Sequence, residues 1–194
     1  MLSNQIYKSG LVKLSLMIAI LFCATSLLAD EPASFSKLLA AGQSAPICRL
    51  NATDDVEHEF PSAGHWNMIF FWSLFCHSCI EEMPTVQARL AELGEADLRP
   101  FFVSLDTLRM QKALINFCKL RDFKHPVLME RVASDSFETA DKWGVAMTPS
   151  VFIVAPDGKI AWSHQGPMDI EKFFADFKEM SQQSASAACS CDNH

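Results

Sequence analysis

The stretch FFWSLFCHSCIEEMP, residues 70–84, constrains the fold more than any other part of the chain. It overlaps the end of a continuous apolar run, NMIFFWSL from Asn67, of the kind that forms a strand buried on both faces. Straight after Cys76 the period changes. Ile80, Met83, Val86, Leu90 and Leu93 recur at helical spacing, and Gly94 ends the pattern. A buried strand therefore turns directly into an amphipathic helix. Cys76 stands at the start of that helix and Cys79 one turn further in.

The rest of the chain repeats the alternation. APICRL and VEHEF are short extended segments around the turn-like NATDD. LRPFFVSLD and PVLME read as strands, with the amphipathic LRMQKALINFCKLRDF between them as a helix. SDSFETADKWG starts with a capping residue and ends in Gly, so a helix is expected there. PSVFIVA and KIAWSHQ flank PDGK as a hairpin, and DIEKFFADFKEM is the last helix. Strands alternating with helices, followed by a terminal hairpin, define an α/β domain with a mixed sheet. It is expected over residues 44–182.

The flanks differ from this domain. Lys8 and Lys13 precede LSLMIAILFCATSLLA, and no acid occurs before Asp30. A basic start, a short apolar stretch and a small residue at Ala29 predict a secretory signal over residues 1–29. If it is not cleaved, it anchors the protein to the membrane. Residues 30–43 are expected to be a polar leader, and residues 183–194 (QSASAACSCDNH) a disordered tail. Lys and Arg number 16 against 23 Asp and Glu, a net charge of −7, so there is no general basic footprint for nucleic acid.

Export would place the cysteines in an oxidising compartment, where thiols pair or perform redox work. Three chemistries use C-x-x-C. A structural zinc site needs four ligands, and the only other close pair is Cys189 and Cys191 in the tail. A structural disulfide across so small a loop restrains the unfolded chain little. A redox dithiol uses the whole stretch, because free N–H groups and the dipole at a helix N-terminus stabilise a thiolate. On that reading Cys76 is the nucleophile and Cys79 the resolving thiol. Cys48 and Cys118 read as small packed hydrophobes, with a disulfide between them left open.

FFWSLFCHSCIEEMP together with GVAMTPSVFIVAPDGKI, residues 144–160, resembles the thioredoxin superfamily, and within it the exported TlpA-like thiol–disulfide oxidoreductases. Thiol reductants of cytochrome c maturation are among these relatives. The resemblance spans about Ser44 to Met180. It implies a thioredoxin-like fold, with a central mixed β-sheet flanked by helices, an N-terminal β-hairpin and a central αβ insertion. It also implies a redox-active Cys76–Cys79 disulfide and a cis Thr148–Pro149 bond. Thr148, Pro149 and Trp72 are then the client-binding residues. Phe70 occupies the place of thioredoxin's buried Asp, and Phe75 that of the second Trp in the family block. Glu82 matches an acid on the active-site helix of TlpA-like proteins and is expected to handle protons, although it also reads as an ordinary first-turn helix acid. His77, between the cysteines, is expected to favour the Cys76 thiolate and raise the potential. Glu81 reads as solvated. His65, His125 and His164 show no partner in sequence.

The function expected is reduction of client disulfides, with protein thiols or disulfides and a membrane-bound electron donor as partners and no cofactor. A dithiol oxidase or isomerase is the near alternative. A copper-handling protein is the alternative of a different class, with two residues between the cysteines here against three in such relatives. A tail metal site at Cys189, Cys191 and His194 is a further expectation, as those ligands suit Cu(I) or Zn(II).

Overall fold

Asn67–Trp72, here β3, is buried at every position and forms the middle of the sheet. The computed structural model describes residues 37–94, 97–134 and 136–191. The five-stranded sheet runs β5-β4-β3-β8-β9, with β4 Arg99–Ser104, β5 Val127–Met129, β8 Ser150–Val154 and β9 Ile160–Gln165. β3, β4 and β5 are parallel, whereas β8 and β9 run antiparallel to their neighbours. The sheet is therefore mixed, with helices against it, as the sequence pattern predicts. β1 Cys48–Asn51 and β2 Glu57–Phe60 form the expected N-terminal hairpin.

Successive side chains of a strand point to opposite faces, so β3 feeds two cores. Met68, Phe70 and Trp72 pack with α1 (His77–Leu93), α2 (Gln111–Leu120) and α4 (Ile170–Cys191). Ile69 and Phe71 pack with the β1-β2 hairpin and α3 (Ala140–Trp143). In the second core, Phe152 lies edge-on to Phe71 at 5.9 Å and to Trp143 at 4.8 Å. Cys48 belongs to the second core and Cys118 packs against the first, so the sheet separates them and both thiols are free.

Three boundaries differ from the sequence reading. Residues 37–45, in part assigned to a polar leader, are tied down: Leu39 N–H donates to Trp143 O, and Gly42 N–H to Ile160 O. Leu38 and Leu39 also pack on the second core. The helix expected over 134–144 shrinks to α3, because Ser136–Phe137 (β7) folds back on Val132–Ala133 (β6). The Glu130 carboxylate then starts α3 by accepting from Thr139 N–H and Ala140 N–H. At the C-terminus α4 continues to Cys191, beyond the expected limit of 182. Between Met180 and Cys191 the chain holds neither Gly nor Pro, so nothing local stops the helix. Residues 1–36, which include the expected signal, and His194 lie outside the described residues. Among the described residues no helix is long and apolar enough to cross a membrane.

Candidate active site

The C-terminal end of β3 delivers the chain to Ser73, Leu74 and Phe75, and α1 begins at His77 with Cys76 as its N-cap. Cys76 Sγ accepts from Cys79 N–H at 3.3 Å, which puts the sulfur where a capping oxygen normally sits. The two sulfurs are bonded at 2.07 Å. The cysteines are not equivalent. Cys79 is fully buried in the first core, whereas Cys76 is half-buried at its edge. An incoming sulfur therefore reaches Cys76 first.

The proline loop lies at the same end of the sheet. Ser150 pairs with Phe71 in the β3-β8 ladder, so Pro149 sits one step further on, beside the strand that leads into Cys76. The Thr148–Pro149 bond is cis, as expected, and a second cis bond at Phe60–Pro61 was not anticipated. Gln165, at the end of β9, holds this loop. Its Oε1 accepts Ala146 N–H at 2.9 Å and Met147 N–H at 3.3 Å, and Gly166 N–H donates to Pro149 O at 2.8 Å. Met147 and Phe75 are exposed apolar residues, Phe75 at 78 %, one on each of the two loops.

Trp72 does not join them. It is fully buried and stacks on Phe123 at 6.0 Å, so its expected part in client binding is corrected. β3 is covered on both faces, and the exposed aromatic next to the dithiol is Phe75.

Glu82 lies three residues after Cys79 on α1, and residues at that spacing are neighbours on a helix. Its Oε1 accepts Met168 N–H at 3.1 Å, while Oε2 is buried without a partner. Burial raises its carboxyl above the ordinary range, opposed by the Met168 N–H and by nearby His164. His164, expected to have no partner, stacks on Trp162 at 5.7 Å and contacts Pro167 O through Nε2 at 3.1 Å. Its link to Glu82 is tertiary and leaves no trace in the sequence. His125 likewise stacks on Phe102, at 5.8 Å. His77 is exposed, and its Nε2 lies 3.1 Å from Glu81 Oε1 one turn along, so Glu81 is not simply solvated. Burial pushes the Cys118 thiol up to about 11 and also raises that of Cys48. Both are therefore poor thiolates near neutral pH. Asp106 and Gln165 went unremarked in the sequence, because only folding brings the first to the turn before the dithiol and the second to the proline loop.

No group of three His, Cys, Asp or Glu side chains that could hold a metal occurs among the described residues. Cys189 and Cys191 fall on the last turn of α4, and the expected tail site with His194 lies outside the described residues.

A dithiol at a helix N-terminus, with a cis-proline loop at the same end of the sheet and a sheet of this topology, defines a thioredoxin-fold thiol–disulfide oxidoreductase. The chain belongs to the AhpC/TSA family, which matches residues 41–163. It is 25 % identical over 172 residues to the thiol-disulfide oxidoreductase ResA of Oceanobacillus iheyensis, covering 86 % of this chain and 84 % of the relative. Solved structures share the fold, StoA and a DsbE protein among them. StoA from Bacillus subtilis superposes with a TM-score of 0.57 at 18 % identity, over 70 % of this chain and 99 % of its own. A DsbE thiol:disulfide interchange protein from Chlorobium tepidum does so with 0.59 at 20 % identity, over 78 % and 99 %.

Proposed function

We propose that the protein is an exported reductant of disulfides in client polypeptides, apocytochrome c among them. The observation that carries the thiol–disulfide exchange is the unequal pair: an accessible Cys76 at a helix N-terminus and a buried Cys79 one turn inside. The Cys76 thiolate attacks one sulfur of the client disulfide and expels the other as a thiolate. Cys79 then attacks Cys76 Sγ and releases the second client sulfur. Two electrons pass to the client, and the Cys76–Cys79 disulfide forms. A membrane-bound donor restores the dithiol. Phe75, Met147 and the backbone around Thr148 and Pro149 form the surface that takes an extended client segment. Glu82 takes the proton from Cys79.

The basic and apolar residues 1–29 support export. The family likeness supports the reductant role. Glu81 opposes the expected influence of His77, because its carboxylate lies 3.1 Å from the imidazole Nε2 and sets a negative charge beside it. Acid-quenched thiol trapping in the native host, with a glutathione titration of the pure protein, tests the direction. The expected result is a mainly reduced pair with a midpoint below about −200 mV. A mostly oxidised pair with a midpoint near about −120 mV would reject the reductant role and leave an oxidase.

A further inference from the structure

Asp106 is 3 % exposed and lies just beyond β4, on the strand next to the one that leads into the dithiol. Its Oδ1 accepts Ser73 Oγ–H at 2.8 Å, and its Oδ2 accepts Leu74 N–H at 2.9 Å. Oδ2 also accepts Ser104 Oγ–H at 2.7 Å, and Ser104 Oγ accepts Asp106 N–H at 3.2 Å. Both carboxylate oxygens are thus committed within the fold. A buried carboxylate is tolerated only when satisfied in this way.

These bonds converge on the three residues between β3 and Cys76. Ser73 passes the constraint on twice. Its Oγ accepts Phe75 N–H at 3.1 Å and its carbonyl accepts Cys76 N–H at 3.1 Å. Phe75 itself has little packing, since it is largely exposed. The hydrogen bonds therefore do much to set where Cys76 Sγ stands against Cys79 N–H. A helix terminus acts on a charge only within its first turn, so a small shift of Sγ changes how well the thiolate is held.

We infer that Asp106 and Ser73 form a positioning pair that sets the proton affinity and redox potential of Cys76. Neither touches the reacting sulfurs in a way that moves electrons or protons. They act through the turn. The inference rests on the proposed role of Cys76 as nucleophile, which the wild-type protein tests separately.

The test compares Ser73→Ala, Ser73→Thr and Asp106→Asn by the pH profile of Cys76 alkylation, with site assignment by mass spectrometry, and by glutathione titration of the dithiol. Ser73→Ala should raise the pH midpoint and slow Cys76 alkylation at neutral pH by about fivefold, the upper end of the usual helix-terminus effect. The dithiol should become more reducing. Ser73→Thr keeps the hydroxyl and should return both readouts to within about twofold of wild type. Adding Ser73→Ala to Asp106→Asn should change little beyond Asp106→Asn alone, because the two act through one chain of bonds. An unchanged midpoint and potential in Ser73→Ala overturns the inference, as does a Thr variant as impaired as Ala, or fully additive effects. If Asp106→Asn fails to fold, the two half-buried Ser73 variants decide alone. A wild-type protein whose fast thiol is Cys79 would instead defeat the functional reading itself.

Discussion

Replacing Glu82 by Gln removes the proposed proton acceptor and leaves the shape. The size of the effect follows from three features of the site. Glu82 is a helical neighbour of Cys79. One oxygen is occupied by Met168 N–H, and the other is buried and unpartnered, so a single oxygen is open to a proton. The Cys79 thiol and that oxygen are both buried, so solvent does not readily replace the carboxylate as acceptor. Positioned general bases contribute about 10²–10⁴-fold, so the loss should be at least about 100-fold or ~2.7 kcal/mol. The step affected is the attack of Cys79 on the mixed disulfide. It can be isolated by loading Cys76 with an aromatic thiol and following its release by stopped-flow absorbance. In wild type the rate should climb as pH rises through the raised range of Glu82, because only the ionised carboxylate accepts. Glu82→Gln should be slow and should lack that limb. The stability linkage has the same origin. A carboxyl raised in the folded state contributes stability below its unfolded value and loses it as pH climbs through the folded one. Glu82→Gln should therefore gain stability over wild type above that range and none in acid. Release at the wild-type rate with the wild-type pH profile would refute the assignment of the proton to Glu82.

In Gln165→Ala the N–H groups of Ala146 and Met147 lose their acceptor, so KM for a client peptide should rise while reduction of a small aromatic disulfide changes little. His77→Pro should lower the midpoint by tens of millivolts, where about 30 mV is ~1.4 kcal/mol; an unchanged glutathione titration would make His77 a bystander. Gly144→Ala meets both a positive φ of 70° and Lys37 O, 2.2 Å from the added Cβ, and should destabilise by about 2 kcal/mol or more in urea unfolding. Phe152→Ala empties the space between Phe71 and Trp143 and should cost about 3–5 kcal/mol by the same measurement.

Much of this molecule is local and therefore readable in order along the chain. The apolar run into Cys76, the helical period after it and the PDGK turn are nearest-neighbour patterns, and they define the strands, the main helices and the dithiol. The proline loop was legible only through the family resemblance of the contiguous residues 144–160. Other features depend on residues far apart. Trp72 and Phe75 are three positions apart, yet one is buried and the other exposed, because α1 and α2 cover the end of β3 but not the turn beyond it. Cys48 and Cys118 are kept apart by a sheet that neither helps to define. The hold on the turn by Asp106, the hold on the proline loop by Gln165 and the nearness of His164 to Glu82 join segments tens of residues apart. Periodicity reports which face of an element is apolar. It does not report which polar side chain crosses from a neighbouring strand, because the register and order of the strands are settled only when the whole sheet assembles.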